Sequence, residues 1–138
     1  MEKTIYEKRL EFLDETIKFY SEDITRRSVI LDKDGDEMCC YRTFDADGNV
    51  KSKCAIGRVI PDEAYVSSIE SLSVNTNSVL NILPKEIKDL GVSFLGEVQT
   101  LHDTPHYWNM GGGLTGYGHN WYNYIFDMYC TNPKPVGE

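Results

Sequence analysis

The sequence predicts an α+β domain: an N-terminal amphipathic helix, a central β-hairpin or small antiparallel sheet, and a mostly helical C-terminal half. Three observations carry this. Tyr6, Leu10, Leu13, Ile17 and Tyr20 recur at steps of four and three, the period of one helix face. Short apolar runs flank two turn-forming clusters, Asp32–Glu37 and Asp45–Asn49, as antiparallel strands do. Downstream, helix-start patterns at Pro61 and Pro84 precede a helical apolar spacing after Ser93.

Taken in order, Thr4 and Glu7 form a capping-box pattern, so the first helix begins at about Glu2 or Thr4 and runs to Tyr20. Glu7, Lys8, Glu11, Asp14, Glu15 and Lys18 take its wet side, and Ser21-Glu22-Asp23 ends it by competing for backbone hydrogen bonds. Ser28–Leu31 is a short strand or a loop end. Met38–Phe44 and Val50–Ile60 pair as a hairpin about the Asp45–Asn49 turn. Cys40, Arg42 and Phe44 share one face of it, Cys39, Tyr41 and Thr43 the other, and Cys54 on the partner strand falls near Cys39 or Cys40.

Pro61–Val66 is expected as a short helix, and 67–83 as loop with a buried piece at Val79–Leu83. A helix begun at Pro84 ends at Gly91. Ser93 caps the next, which runs to His102 with Phe94, Leu95, Val98, Leu101 and His102 on one side. Thr104–Gly118 is a glycine-rich loop. Asn120 then caps a last helix through Trp121, Ile125, Met128 and Tyr129. An extended reading of 121–130 competes, because large apolar groups fall on every side in either case. The expected domain spans 1–130, with 131–138 as a frayed tail.

At 138 residues and 15.8 kDa the chain is the size of one domain. Lys and Arg total 14 against 22 Asp and Glu, a net charge of -8, which excludes a protein built mainly to hold nucleic-acid phosphates. No apolar run approaches the ~20 residues of a membrane span. MEKTIYEKRLEF lacks a signal-peptide core. A cytoplasmic protein with neither nucleic-acid nor membrane partners is expected. Cys39, Cys40, Cys54 and Cys130 are then reduced thiols, since a chain this long needs no staples.

Cys40-Tyr41-Arg42, Gly48 and the run from Lys53 through Ile60-Pro61-Asp62-Glu63 to Tyr65 resemble a family of small proteins encoded by bacteriophages and bacteria. Its signature is C-x-Y-R, a hairpin turn, then K-C-A-I-G-x-x-I-P-D-E-x-Y. Phe94-Leu95, Gln99, Leu101-His102-Asp103 and Trp108 are similar to its second block, F-L-x-x-x-Q-x-L-H-D followed by tryptophan. Phe12–Thr16 and Tyr20-Ser21 fit as well, so the likeness touches about half the chain. The resemblance implies a viral or bacterial origin, with a host cytoplasm as the setting, and no particular activity. The chain departs from the pattern at 67–78 and 111–118.

Among chemical constellations, zinc requires four Cys or His ligands, and Cys40, Cys54, His102 and His106 are the set that a helix end meeting the hairpin would assemble. No C-x-x-C pair is present, and buried apolar thiols are the plainer reading. Cys54, His102 and Asp103 form the corresponding Cys–His catalytic alternative. The two Asp-x-Asp-Gly turns fail as calcium loops: glycine stands at position four and no Glu at position twelve. Gly111-x-Gly113-x-x-Gly116 has no βαβ unit around it, so it is not a dinucleotide fingerprint. The acidic residues are expected to form solvated faces and not an ordered phosphate mimic, because bases are interspersed among them.

The remaining concentration is aromatic. Tyr107, Trp108, Tyr117, Trp121 and their neighbours crowd a stretch without a single Lys or Arg between Lys88 and Lys134. Such rings either fill the core or dominate a protein interface. Tyr117, beside glycines, and Trp108, in the loop, are expected outside. The leading expectation is a non-enzymatic phage accessory protein that binds a host or phage protein through Tyr107, Trp108, Tyr117 and Trp121, with no cofactor. The alternatives are the Cys–His enzyme or zinc protein and a minor virion component.

Overall fold

The structure, a computed structural model, describes residues 2–132. It is an α+β arrangement of five α-helices and two small antiparallel hairpins. Helix α1 spans Ile5–Glu22. Its capping box is complete: the Thr4 hydroxyl accepts from the Glu7 N–H at 3.2 Å, and the Glu7 carboxylate accepts from the Thr4 N–H at 3.0 Å. Phe12, Leu13, Thr16 and Tyr20 are its buried face. Asp23 ends it and turns its carboxylate to the Thr25 N–H.

The two Asp-x-Asp-Gly clusters fold alike, and each closes a hairpin. Asp32 accepts from the N–H groups of Asp34 and Asp36 at 2.9 and 3.0 Å, and Asp45 from those of Asp47 and Asn49 at 2.9 and 3.0 Å. The first turn joins β1 (Val29–Leu31) to β2 (Glu37–Cys39), and the second joins β3 (Arg42–Phe44) to β4 (Val50–Lys53). The expected strand 38–44 is thus broken. Glu70 causes the break, because its carboxylate draws in the N–H groups of both Tyr41 and Arg42, at 2.8 and 3.1 Å. Two successive amides cannot face one acceptor in a straight strand, where they alternate sides.

The expected return strand to Ile60 stops at Lys53, and a 3-10 turn follows at Gly57–Val59. The helix expected at 61–66 is also corrected: the chain makes turns there and a 3-10 turn at Ser67–Ile69. The Tyr65 hydroxyl is held by Glu70 at 2.7 Å, so the same carboxylate gathers this segment too. Short helices α2 (Asn77–Leu80) and α3 (Lys85–Lys88) follow, and Gly91 at φ 101° leads directly into α4 (Val92–Asp103).

The last helix, α5, spans Gly116–Tyr129, which excludes the extended reading of 121–130. Its cap is Thr115, whose hydroxyl accepts from the Gly118 N–H at 3.1 Å; Asn120 lies inside the helix instead of capping it. Gly118 lets the chain at Tyr107 lie on α5: a Cβ there would sit 2.3 Å from the Tyr107 carbonyl oxygen. Thr131 and Asn132 follow α5, and the rest of the expected tail, 133–138, lies outside the described residues. The core gathers α1, α4 and α5 over the Cys54–Ile60 turn, with Tyr20, Phe94, Leu101 and Ile125 among its buried members.

Candidate functional site

Two assemblies in this fold have the residue types for function. The first is a knot at the C-terminus of α4. A helix ends with carbonyls that lack intrahelical partners and carry the negative end of the dipole. Here each finds a named donor. Thr100 O accepts from the N–H and hydroxyl of Thr104, at 3.2 and 2.8 Å. Leu101 O accepts from the Trp108 indole at 2.8 Å and His102 O from Arg27 Nε at 2.9 Å. Asp103 O accepts from the Cys39 thiol at 3.5 Å.

Inside the knot His102 is fully buried and its ring packs edge-on against Tyr20 at 4.8 Å. Its Nε2 lies 3.2 Å from the Ser28 backbone N–H, which can only donate. That fixes the tautomer: Nε2 accepts, and Nδ1 carries the proton donated to Asp103 Oδ1 at 2.7 Å. Gln99 donates to the same carboxylate oxygen at 2.8 Å while accepting from the Ile56 N–H at 3.1 Å. Burial holds the imidazole below its usual pKa, against the opposing pull of Asp103.

Cys39, His102 and Asp103 bring one potential ligand atom each to within 4.8 Å of one another. Both ring nitrogens are already engaged, however, and a metal on Nδ1 would need an imidazolate or a proton on Nε2 facing the Ser28 N–H. The thiol is equally unsuited to attack: burial and the nearby Asp103 carboxylate push Cys39 up to about 12. It sits at the negative end of a helix, the reverse of the setting that activates thiols.

The sequence-derived sets assemble differently. His102 and Asp103 do meet, but the thiol that joins them is Cys39; among the described residues Cys54, Cys40 and His106 do not gather with them into a ligand group. Cys54 is wholly buried, its sulfur accepts from the Gly57 N–H at 3.1 Å, and burial pushes it up to about 12. Cys40 lines a hollow of about 350 Å³ with Cys39, Gln99 and Asp103. His106 lies exposed beside Tyr117.

The second assembly is aromatic. Trp108 is not outside, as its place in the glycine-rich loop suggests. It is 6 % exposed, bridges to Leu114 and packs edge-on against Tyr20 at 6.0 Å. The need of the Leu101 carbonyl for a donor, and of the knot for a cover, draws it in. Tyr117 does face solvent, at 73 % exposure. Because α5 begins at Thr115, Tyr117 stands in its first turn, and Trp121, Tyr124 and Met128 follow it at steps of four, three and four. These four form one outward ridge. Tyr124 is 41 % and Met128 60 % exposed, while Trp121 is half-buried.

The ridge has a rigid base. Trp121 stacks on Tyr107 at 6.0 Å and 22°, lies 5.0 Å from Tyr124, and donates its indole N–H to Glu97 O at 3.3 Å. Tyr107 and Trp121 are thus brought together as half-buried support, and Tyr117 extends the ridge outward. Tyr124 falls inside the aromatic stretch 107–124 expected from the sequence, and Met128 lies beyond it; the steps of three and four from Trp121 are the signal that places both on the ridge. Glu97 from α4 and Asp127 from α5 flank the ridge, and no Lys or Arg occurs between residues 89 and 132.

A further hollow, about 740 Å³, opens between the hairpins and is lined by Ile30, Phe44, Trp108 and the 95 % exposed Met110. Among the described residues no helix is long and apolar enough to cross a membrane. No family model, no curated protein and no solved structure matches the chain.

Proposed function

We propose that this chain is a non-enzymatic accessory protein, of the phage kind its sequence resembles, that acts by binding another protein through the outward ridge of α5. The observation that carries this reading is the alignment of Tyr117, Trp121, Tyr124 and Met128 along one solvent face. Large apolar groups in a contiguous strip are costly to leave wet, and Tyr, Trp and Met are the types that anchor interfaces. The stack of Trp121 on Tyr107 holds the strip in place before a partner arrives, which lowers the ordering cost of binding. The alternative Cys–His chemistry loses support from the same coordinates, since His102 and Cys39 are consumed in closing α4.

The test is affinity capture from a bacterial lysate with the wild type, Tyr117→Ala/Tyr124→Ala, and Leu31→Ser on the first hairpin, each checked for native circular dichroism. The expected result is a captured protein that the ridge variant loses and the hairpin variant keeps. Capture unchanged in a folded Tyr117→Ala/Tyr124→Ala variant would refute the reading. So would its loss in Leu31→Ser alone, which would move the surface to the hairpins.

A further inference from the structure

We infer that the ridge of α5 takes a helix from another protein, one with an apolar stripe bordered by Lys and Arg. The inference rests on the binding role proposed above and names the chemistry of the partner. Its geometric part comes from spacing. Steps of four, three and four average about 3.7 residues, close to the 3.6 of the α-helix itself, so the ridge stays on one side along the helix and presents a row of side chains that a second helix can pack against. Extended partners prefer an open strand edge, whereas a helix face of this period accepts interdigitating side chains from another helix.

Its electrostatic part comes from the borders. Asn120 and Asp127 edge the seam on one side, and Glu97 of α4 on the other, where Trp121 donates to its carbonyl. The acids beside the seam are Glu97 and Asp127, since Asp103 is held in the knot by His102 and Gln99, and the Arg9 guanidinium at the far end of α5 is engaged by the Tyr129 carbonyl. A partner bordered by acids would meet like charge, and one bordered by bases would meet opposite charge.

The same borders argue against the other occupants. A second copy would set carboxylates against carboxylates and bring together two chains of net charge -8. An anionic lipid surface would be repelled by the acids that the seam lies between.

The experiment titrates the full chain with two synthetic helical peptides that share one leucine stripe, one bordered by Lys and Arg and the other by Glu. Tryptophan emission reports binding through Trp121, with the enclosed Trp108 as a constant background, and a Glu97→Lys/Asp127→Lys variant is run beside the wild type. The inference expects the basic peptide to bind at least tenfold tighter than the acidic one, with the gap shrinking as salt is raised and reversing in the charge-swapped variant. Equal binding, or a preference for the acidic peptide, overturns it. A concentration-dependent dimer in sedimentation that Tyr124→Ala abolishes assigns the seam to a second copy and also overturns it. Binding to phosphatidylglycerol vesicles in place of peptide does the same for a membrane. If neither peptide binds while Tyr117→Ala/Tyr124→Ala still loses its captured protein, the basic helix fails and the binding surface stands. If Tyr117→Ala/Tyr124→Ala binds the basic peptide as the wild type does, both fail.

Discussion

Replacing Trp108 and Tyr117 by alanine, one at a time, separates a core ring from a surface ring. Trp108 is enclosed, donates to Leu101 O at 2.8 Å and touches Tyr20 edge-on. Its removal empties a large core volume, worth about 3–5 kcal/mol for Trp→Ala. It also leaves the Leu101 carbonyl at the end of α4 without its donor, a loss of the order of 1 kcal/mol that partly overlaps that range. A total near 4 kcal/mol corresponds to a fall of roughly 15 °C in Tm for a domain of this size. Tyr117 is largely solvated and its substitution falls within about 0.5 kcal/mol of zero. Urea unfolding followed by far-ultraviolet circular dichroism gives both numbers. Trp108→Ala at under about 1 kcal/mol, or Tyr117→Ala at over about 2 kcal/mol, would refute the placement of these rings and the reasoning built on it.

Stability should fall on acidification below about pH 6.5, the unfolded pKa of histidine. His102 is held neutral in the fold, so the unfolded chain binds a proton there that the native one does not; its contribution is whole above the unfolded value and is lost as pH falls through the lowered native one. His102→Leu, though less stable throughout, should lose that segment of the pH curve, and an unchanged slope would contradict the buried neutral ring. Gly118→Ala should destabilise by about 1–3 kcal/mol despite the better helix propensity of alanine, because its Cβ would meet the Tyr107 carbonyl oxygen at 2.3 Å; a stabilised variant in thermal melts would contradict the close approach. Iodoacetamide at pH 7 should label the native thiols no faster than free cysteine, with Cys54 last, since burial raises every one of them. A fast-reacting thiol at Cys39 or Cys54 would revive the catalytic alternative. Purified protein should bind zinc no less tightly after His102→Gln than before, since both ring nitrogens are engaged; a tenfold loss would mean that the imidazole is a ligand.

What could be read in advance was local. The capping box of Thr4 and Glu7 and the spacing from Tyr6 to Tyr20 lie within a few turns of each other, and α1 forms as they indicate. The two Asp-x-Asp-Gly turns are equally self-contained, and each closes a hairpin. Distant partners decided the rest. Glu70, alone in a polar stretch, reaches back to Tyr41 and Arg42 and splits a strand that looks continuous, and no pattern near residue 41 announces it. Trp108 sits in glycine-rich sequence, and its destination is set by an unpaired carbonyl at the end of α4. In the candidate site, His102 and Asp103 were visible as neighbours, but the identity of the thiol beside them depended on where the strand broke. The ridge was half legible. Trp121, Tyr124 and Met128 align in any helix over 121–129, and Tyr117 joins them only because α5 is capped at Thr115 instead of Asn120.

The central claim is that the outward face of α5 is where another protein sits. Placing a photoreactive benzoylphenylalanine at position 124, and separately at position 31 on the first hairpin, tests it inside cells. The account predicts one protein adduct from position 124, weakened when Tyr117→Ala and Met128→Ala are added, and none of that mass from position 31. An adduct from position 31 with position 124 silent would contradict it.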